Sequence, residues 1–484
     1  MAQQTRAVAT QAYGIAPDPY SDLAPFVATA KNPWDPAKAA HLMRRAGLGA
    51  SPEEIPTIVQ QGMHASVDKL LAVTTSGLQE TGQIRLPNGE LLRLSSRSFG
   101  ATHQWLHELA TTKQPLKEKM ALFWSDHFSV GTKDRRHEAL LVRHINVFRK
   151  HGLGRFHDLL VAVTRDPAML WWLDNNVNGQ PEHGRPKINE NYGRELLELY
   201  TLGVNAGYTQ KDVREAAKCL TGWSTGAIDQ FAYKPAWHVP GRKSFLGTTI
   251  LSNGQREVHD LLDTILGHPA AARFLVTKIW KYFVSETPYP QLIEVLADKW
   301  RKSGYDIKFL MSTIFRSNYF YSSRSIKTLV KNPVEVYAQA TRALHVKWRF
   351  YLYADRGLAA MGYRLMDYSD PSGYRDGIAW IDEMAIIARA NFANDATQMG
   401  FKATFDPNRE ISRLNLSTAK AIVDHYLRVL GVDNVPANTR SVLYLFMDLV
   451  DTGRQKFTLT PAKINEKVRG LVHLALSLPE YSIN

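Results

Sequence analysis

The chain has a single cysteine, Cys219, among 484 residues. An intramolecular disulfide is therefore excluded, and so are cysteine-rich zinc sites. No run of about 18 or more apolar residues exists, so no membrane-spanning helix is expected. Residues 1–19 hold one arginine and no apolar stretch, so no export signal is visible in this chain. There is no GxGxxG after a strand, no GxxxxGK[ST], no GxSxG elbow and no kinase signature set. The usual nucleotide-dependent and serine-hydrolase classes lose their support. A basic tail and a recognised nucleic-acid motif are also missing, so no specific nucleic-acid partner is expected.

What is present points to a large helical protein. The composition is 44% hydrophobic and 22% charged, which suits a globular core. The net charge of +13 favours anionic partners such as an acidic polysaccharide or other anionic polymer, although solubility alone accounts for it equally well. Residues 1–33 are polar and aperiodic and read as an arm or tail. From residue 34 to 484 helical periodicity returns repeatedly, with no fixed-period repeat and no low-complexity linker. This predicts one mostly α, multi-helical domain. One stretch, Ile228–Val258, alternates and carries prolines and glycines, and it reads as a single hairpin-like excursion. Thr74–Ser96 and Asn175–Lys187 read as loops. The sequence sets no oligomeric state.

The stretch Pro186–Gly203, PKINENYGRELLELYTLG, organises the rest. Asn189 can cap a helix and Gly203 can end it. Tyr192, Leu196, Leu199 and Tyr200 share one apolar arc. Glu190, Asn191, Arg194, Glu195 and Glu198 share the opposite one. A solvated ladder of i, i+4 pairs, worth about 0.2–0.5 kcal/mol each, is the plain reading. The chemical reading is a site, since Glu195 and Glu198 are neighbours and their joint burial would leave one protonated near neutral pH. In that reading the second arc lines a polar cleft, and Arg44 or Arg45, from the helix AKAAHLMRRAG, reaches it.

Other candidates are scattered. His127 falls on the stripe of Leu116, Met120 and Phe123, so it should be buried, either as a core histidine or as a proton-transfer group. Trp124 lies beside that stripe. His103 and His107 are four apart on one face, but no HExxH accompanies them, and neither a metal nor another cofactor is expected. In the excursion, Trp237, His238, Arg242 and Lys243 can bind an anion or a sugar ring, or simply build a flap.

Several segments taken together resemble the bacterial proteins grouped as domain of unknown function 1800 (DUF1800). They are HLMRRAGLG (His41–Gly49), EKMALFWSDHF (Glu118–Phe128), DLLVAVTRDPAMLWWLDN (Asp158–Asn175) and NENYGRELLELYTLGV (Asn189–Val204). YTQKDVREAAKCLTGW (Tyr208–Trp223), KSFLG (Lys243–Gly247) and HPAAARFLVTKIWKYFV (His268–Val284) follow. SGYDI (Ser303–Ile307), LVKNPVEV (Leu329–Val336) and DPSGYRDG (Asp370–Gly377) complete the series. The resemblance implies a largely helical bacterial protein of a kind often made with an export signal, hence periplasmic or secreted. Such proteins often occur beside a second uncharacterised family that resembles exported sulfatases or phosphatases. The resemblance brings no catalytic residue with it.

The leading expectation is an extracytoplasmic enzyme acting on a polysaccharide or other anionic polymer. Its catalytic candidates are Glu190, Glu195, Glu198 and His127. Its binding candidates are Arg44, Arg45, Arg194, Tyr192, Trp124, Trp237, His238 and Lys243. Carboxylate-driven hydrolysis and elimination, with Tyr192 or His127 as base and Arg194 neutralising a uronate, both remain open. A non-catalytic envelope binding or assembly protein, and a metal- or haem-dependent oxidoreductase using His127 or His103 and His107, are the alternatives. The charge predicts retention on heparin-like or uronic-acid chains at low salt and release as salt rises, because exposed charges are screened over about 8 Å at physiological ionic strength. Absence of retention even at low salt would assign the charge to solubility alone.

Overall fold

A computed structural model describes residues 18–94, 100–131, 138–182, 185–226, 229–448 and 460–484. Helix makes up 58% of it, in 22 helices among the described residues. None of these helices is long and apolar enough to cross a membrane. The mostly α expectation holds. The strands among the described residues form five separate two-stranded antiparallel ribbons rather than a sheet.

These ribbons correct the expectation of a single hairpin. The excursion is two ribbons, Trp223–Thr225 with Phe231–Tyr233 and Lys243–Phe245 with Thr248–Ile250. Ile228, the residue at which the excursion was expected to begin, lies outside the described residues. Gly82–Arg85 pairs with Leu91–Leu94 where a loop was expected, closed by the Pro87-Asn88-Gly89 turn, and Pro181–Glu182 pairs with Arg185–Pro186 in the second expected loop. Each ribbon is too short to show a clear period, so turn residues dominate its signal.

The helices begin where the capping chemistry places them. Asp35 accepts from the Lys38 amide ahead of Pro36–Arg45, and Thr209 and Asp212 form a reciprocal capping box ahead of Gln210–Cys219. Residues 18–33 are not a free arm. The short helix Pro19–Leu23 leads Leu23 and Phe26 into the core, and the Asp22 carboxylate pairs with Arg324.

Helix Pro115–His127 is the axis of the fold. Of its 13 residues only Asp126 is not buried. Leu116, Met120, Phe123 and His127 share one face as expected, but the face bearing Lys117, Glu118 and Lys119 is buried as well. Buried charges need partners, and these have them. Glu118 receives Arg149 at 2.7 Å and the Trp105 indole at 3.0 Å. Lys119 pairs with Glu335, which also closes the capping box of helix Pro333–Leu344. Lys117 donates to the Ser76 hydroxyl at 2.9 Å.

A second buried charge cluster ties the excursion to the helices. Glu257 opens helix Glu257–Gly267 with its side chain fully buried. It takes Lys243 at 2.5 Å and His238 at 3.1 Å, and Lys243 also donates to the Val239 carbonyl. Removing the anion from such a pair leaves a buried cation uncompensated. Glu257→Gln is expected to cost about 3 kcal/mol in urea denaturation. A midpoint equal to that of the parent would show that solvent reaches Lys243.

Candidate functional site

The organising helix forms, but it changes type midway. Asn191–Glu195 is α-helical and Leu196–Thr201 is a π-helical turn. The Leu202 amide donates to the Leu197 carbonyl at 2.9 Å, and the Thr201 hydroxyl donates to the Leu196 carbonyl. Gly203 ends the element in the left-handed region at φ 89°. A Cβ there would meet the Phe274 ring at 2.9 Å. The π turn rotates the residues after Glu195. Leu197 and Thr201 become fully buried, whereas Leu199, expected in the core arc, is only partly so. π turns concentrate at functional sites.

The polar arc is neither a free surface nor an enclosed cleft. Arg194 lies 3.5 Å from Glu190 and 3.4 Å from Glu198, with side-chain exposures of 30% for Glu190 and 27% for Glu198. Gln210 donates to Glu190 and accepts from Arg194, and the Tyr208 hydroxyl hydrogen-bonds Glu198. Glu195 differs from both. No hydrogen bond or ion pair engages its carboxylate among the described residues. Burial, and then repulsion by Glu198, push its proton affinity up, against the pull of Arg194.

His127 connects this helix to a second group of charges. It is 2% exposed, as expected, and its Nε2–H donates to the Tyr200 carbonyl at 3.0 Å. Burial, followed by the nearby Lys278, holds it well below the usual histidine range, so it is neutral. Its Nδ1 and the Tyr200 hydroxyl are both buried without a hydrogen-bond partner in the structure. The next residue back, Asp126, is where the central helix reaches solvent. Burial pushes its carboxyl up to about 7; repulsion by Asp376 adds to this, while the Tyr374 amide, donating at 2.8 Å, and Lys278 oppose it. Asp376 is also raised by burial, against Lys278 and Lys281. Lys278 lies on helix Pro269–Phe283, which also carries Phe274 against the organising helix. Gly373, at φ 84°, lets the Asp370–Gly377 loop close onto the helix end, where a Cβ would stand 2.5 Å from the Asp126 carbonyl oxygen.

Asp126, Lys278 and Asp376 were not singled out from the sequence. The available signal was phase: Asp126 is the acidic residue beside the His127 stripe, in the segment Glu118–Phe128.

Several expected binding residues have other duties. Arg45 is 1% exposed and donates to the Val284 and Ser325 carbonyls and to the Thr328 hydroxyl. Arg44 lies against Gly431, beside Lys327 and Asp433. Neither arginine makes a contact with Glu190, Glu195 or Glu198, which corrects the expected pairing. Lys243 and His238 are consumed by Glu257 inside the fold, so they form a structural cluster rather than an anion subsite. Trp124 is fully buried, its indole donating to the Gly152 carbonyl. Trp237 is half-buried under Lys234, at 3.7 Å from nitrogen to ring centre. Tyr192 is buried, donates to the Thr164 hydroxyl at 3.1 Å, and has its proton affinity raised by burial, which removes it as a base.

The histidine pair does not converge on an ion. His103 faces Glu90 at 3.3 Å and His107 faces the Tyr351 hydroxyl at 2.9 Å. Glu53, His345 and Glu410 do bring three ligand-type atoms within 4.8 Å of one another. Arg413 pairs with Glu410 at 2.6 Å and lies 3.6 Å from Glu53, so the charge there is already balanced by arginine.

The His127 environment predicts a fixed tautomer. Its imidazole should stay neutral and protonated at Nε2 from pH 5 to 8 when followed by nitrogen-15 NMR. A transition near the ordinary histidine value of about 6.5 would contradict the burial described.

Comparison with curated proteins and with solved structures gives no match. The family model described as "Protein of unknown function (DUF1800)" matches residues 41–483. The match takes in the Asp126 helix end, the organising helix, Lys278 and the Asp370–Gly377 loop, and with nearly the whole chain covered, the protein belongs to the DUF1800 family.

Proposed function

We propose that this protein is an extracytoplasmic enzyme that cleaves a polysaccharide or other anionic polymer by acid–base chemistry, with Asp126 as the proton-transferring group. The observation that carries this reading is a partly exposed carboxyl pushed up to about 7. Such a group is present in both protonation states at neutral pH, as a general acid or base requires. Asp376 supplies a second carboxylate facing the same lysine, so one can protonate a leaving oxygen while the other activates water. Lys278 and the exposed Lys281 place positive charge where an acidic chain would lie. The extracytoplasmic location rests on the export signals common among similar proteins.

A second reading keeps the chemistry on the organising helix. It is favoured by Glu195, whose raised and unpaired carboxyl stands beside an arginine-paired Glu198. Pairs of carboxyls in unlike environments divide acid and base roles in this way.

A screen of soluble neutral and acidic glycans, run with Asp126→Asn and Glu195→Gln, separates the two. Asp126→Asn should lower kcat/KM by about 100-fold or more, and the parent's pH profile should break near 7. Loss in Glu195→Gln with Asp126→Asn intact would move the chemistry to the organising helix. Retained activity in both would refute the carboxyl mechanism.

Stability offers an independent check on Asp126. A carboxyl that binds its proton more tightly when folded stabilises the fold at low pH, and this contribution is lost as pH rises from about 4 to 7. Asp126→Asn should therefore be more stable than the parent at pH 8, by at least about 1 kcal/mol, with a smaller gain at pH 4. An equal effect at both pH values would place the Asp126 titration outside this range.

A further inference from the structure

One cavity takes no part in the proposed chemistry. Its volume is 890 Å³, within the range of about 300–1,000 Å³ typical of small-molecule sites. It lies between helix Pro36–Arg45 and its successor Glu54–Gln61 on one side, and helices Pro407–Leu414 and Ala419–Val429 on the other. Much of the wall is apolar, including Ala40, Ile55, Val59, Leu414, Val429 and Leu430. The mouth is open to solvent, with Leu414 39% exposed.

One end of the cavity is strongly cationic. Arg44 and Lys327 line it beside Gly431. The Arg44 guanidinium makes no hydrogen bond among the described residues, its Nε is fully enclosed, and burial lowers its pKa to about 10. Behind it, Lys331 is 1% exposed, stacks on Tyr481 at 3.7 Å and is depressed by burial and then by Arg44. Arg389, 6% exposed, adds a fourth cation with Nε and one terminal nitrogen unpaired.

The nearby anions do not balance this charge. Glu335 is committed to Lys119, and Asp35 to Lys38 at 3.2 Å. Asp433 is 3.7 Å from Lys327 and more than half exposed, and Glu480 acts on Lys327 more weakly. The Lys327 ammonium also donates to the Gly431 carbonyl and to the Asn434 side chain, so Arg44 is the cation left without a hydrogen bond at this end. Desolvated cations without counter-charges are costly, and an anion at this end would offset that cost. The adjoining wall is mainly apolar, with Arg413 and Arg428 also lining the cavity, and it suits a ligand whose remainder is hydrocarbon.

We propose that this cavity binds a single-chain amphiphile with an anionic carboxylate or phosphate head. The head sits on Arg44 and Lys327, and the alkyl chain runs along the 36–61 helices toward Leu414. The site is separate from Asp126 and Glu195 and is independent of the proposed reaction.

The test is calorimetric titration of the full-length protein with laurate, dodecyl phosphate, dodecanol and inorganic phosphate, each below its micellar concentration where one applies. Laurate, dodecyl phosphate or both should bind at one site, with dodecanol and inorganic phosphate at least tenfold weaker. The stronger of the two anionic amphiphiles identifies the head. Arg44→Gln should bring that amphiphile down to the dodecanol level, and Ala40→Trp should abolish its binding by filling the cavity. Should Arg44→Gln not fold, Ala40→Trp and the comparison with dodecanol decide the matter. Dodecanol binding as tightly as both anionic amphiphiles would overturn the proposal. So would inorganic phosphate matching them, binding unchanged in Ala40→Trp, or no binding by either amphiphile.

Discussion

The structure depends on burying all but one residue of a helix that carries three adjacent charges. Pro115–His127 has no solvent face until Asp126, so Lys117, Glu118 and Lys119 each require a partner from another part of the chain. Arg149, Glu335 and Ser76 meet that requirement from three separate segments. A buried ion pair contributes little net stability compared with apolar packing, but breaking one is costly. These pairs therefore act mainly as address labels. They fix which helices surround the central one and in what rotation, and so where its end emerges. Asp126 is held at that end, against Lys278 and the Asp370–Gly377 loop, because the rest of the helix cannot turn.

Three stretches within the family match meet around this point. The central helix brings Asp126 and His127, helix Pro269–Phe283 brings Lys278, and the turn-rich loop brings Tyr374 and Asp376. His127 then reaches the organising helix through the Tyr200 carbonyl. Its neutral state suits the role of a fixed hydrogen-bond donor, joining two carboxyl-bearing regions without adding charge to either.

The helical texture and the burial of His127 were legible because each is set within one turn or two of chain. The stripe through Leu116, Met120 and Phe123 is local. What sequence did not reveal is long-range pairing. The burial of Lys117, Glu118 and Lys119 had no local signal, because nothing nearby in the chain announces Arg149 or Glu335. Arg44 and Arg45 seemed suited to distant carboxylates on charge alone, yet backbone carbonyls occupy Arg45 and a cavity wall holds Arg44. His238 and Lys243 looked like an anion-binding pair because Glu257, the acid that takes both, lies beyond the second ribbon. Asp126 shows the same limit. Its identity and phase were visible, but the desolvation that raises its proton affinity comes from segments far away in the chain.

The π-helical turn has a consequence for the history of the segment. A π turn holds one more residue than the α-helical path it replaces, so Leu196–Thr201 behaves as a helix carrying a one-residue insertion. Removing that one residue would let the segment wind as an ordinary α-helix while the chain beyond it kept nearly its present phase. A deletion earlier in the helix, with no wide turn to absorb it, would rotate everything beyond it by about 100°, and Gly203 would lose its place against Phe274. The π turn is therefore the point in this helix where a one-residue change of length disturbs its surroundings least.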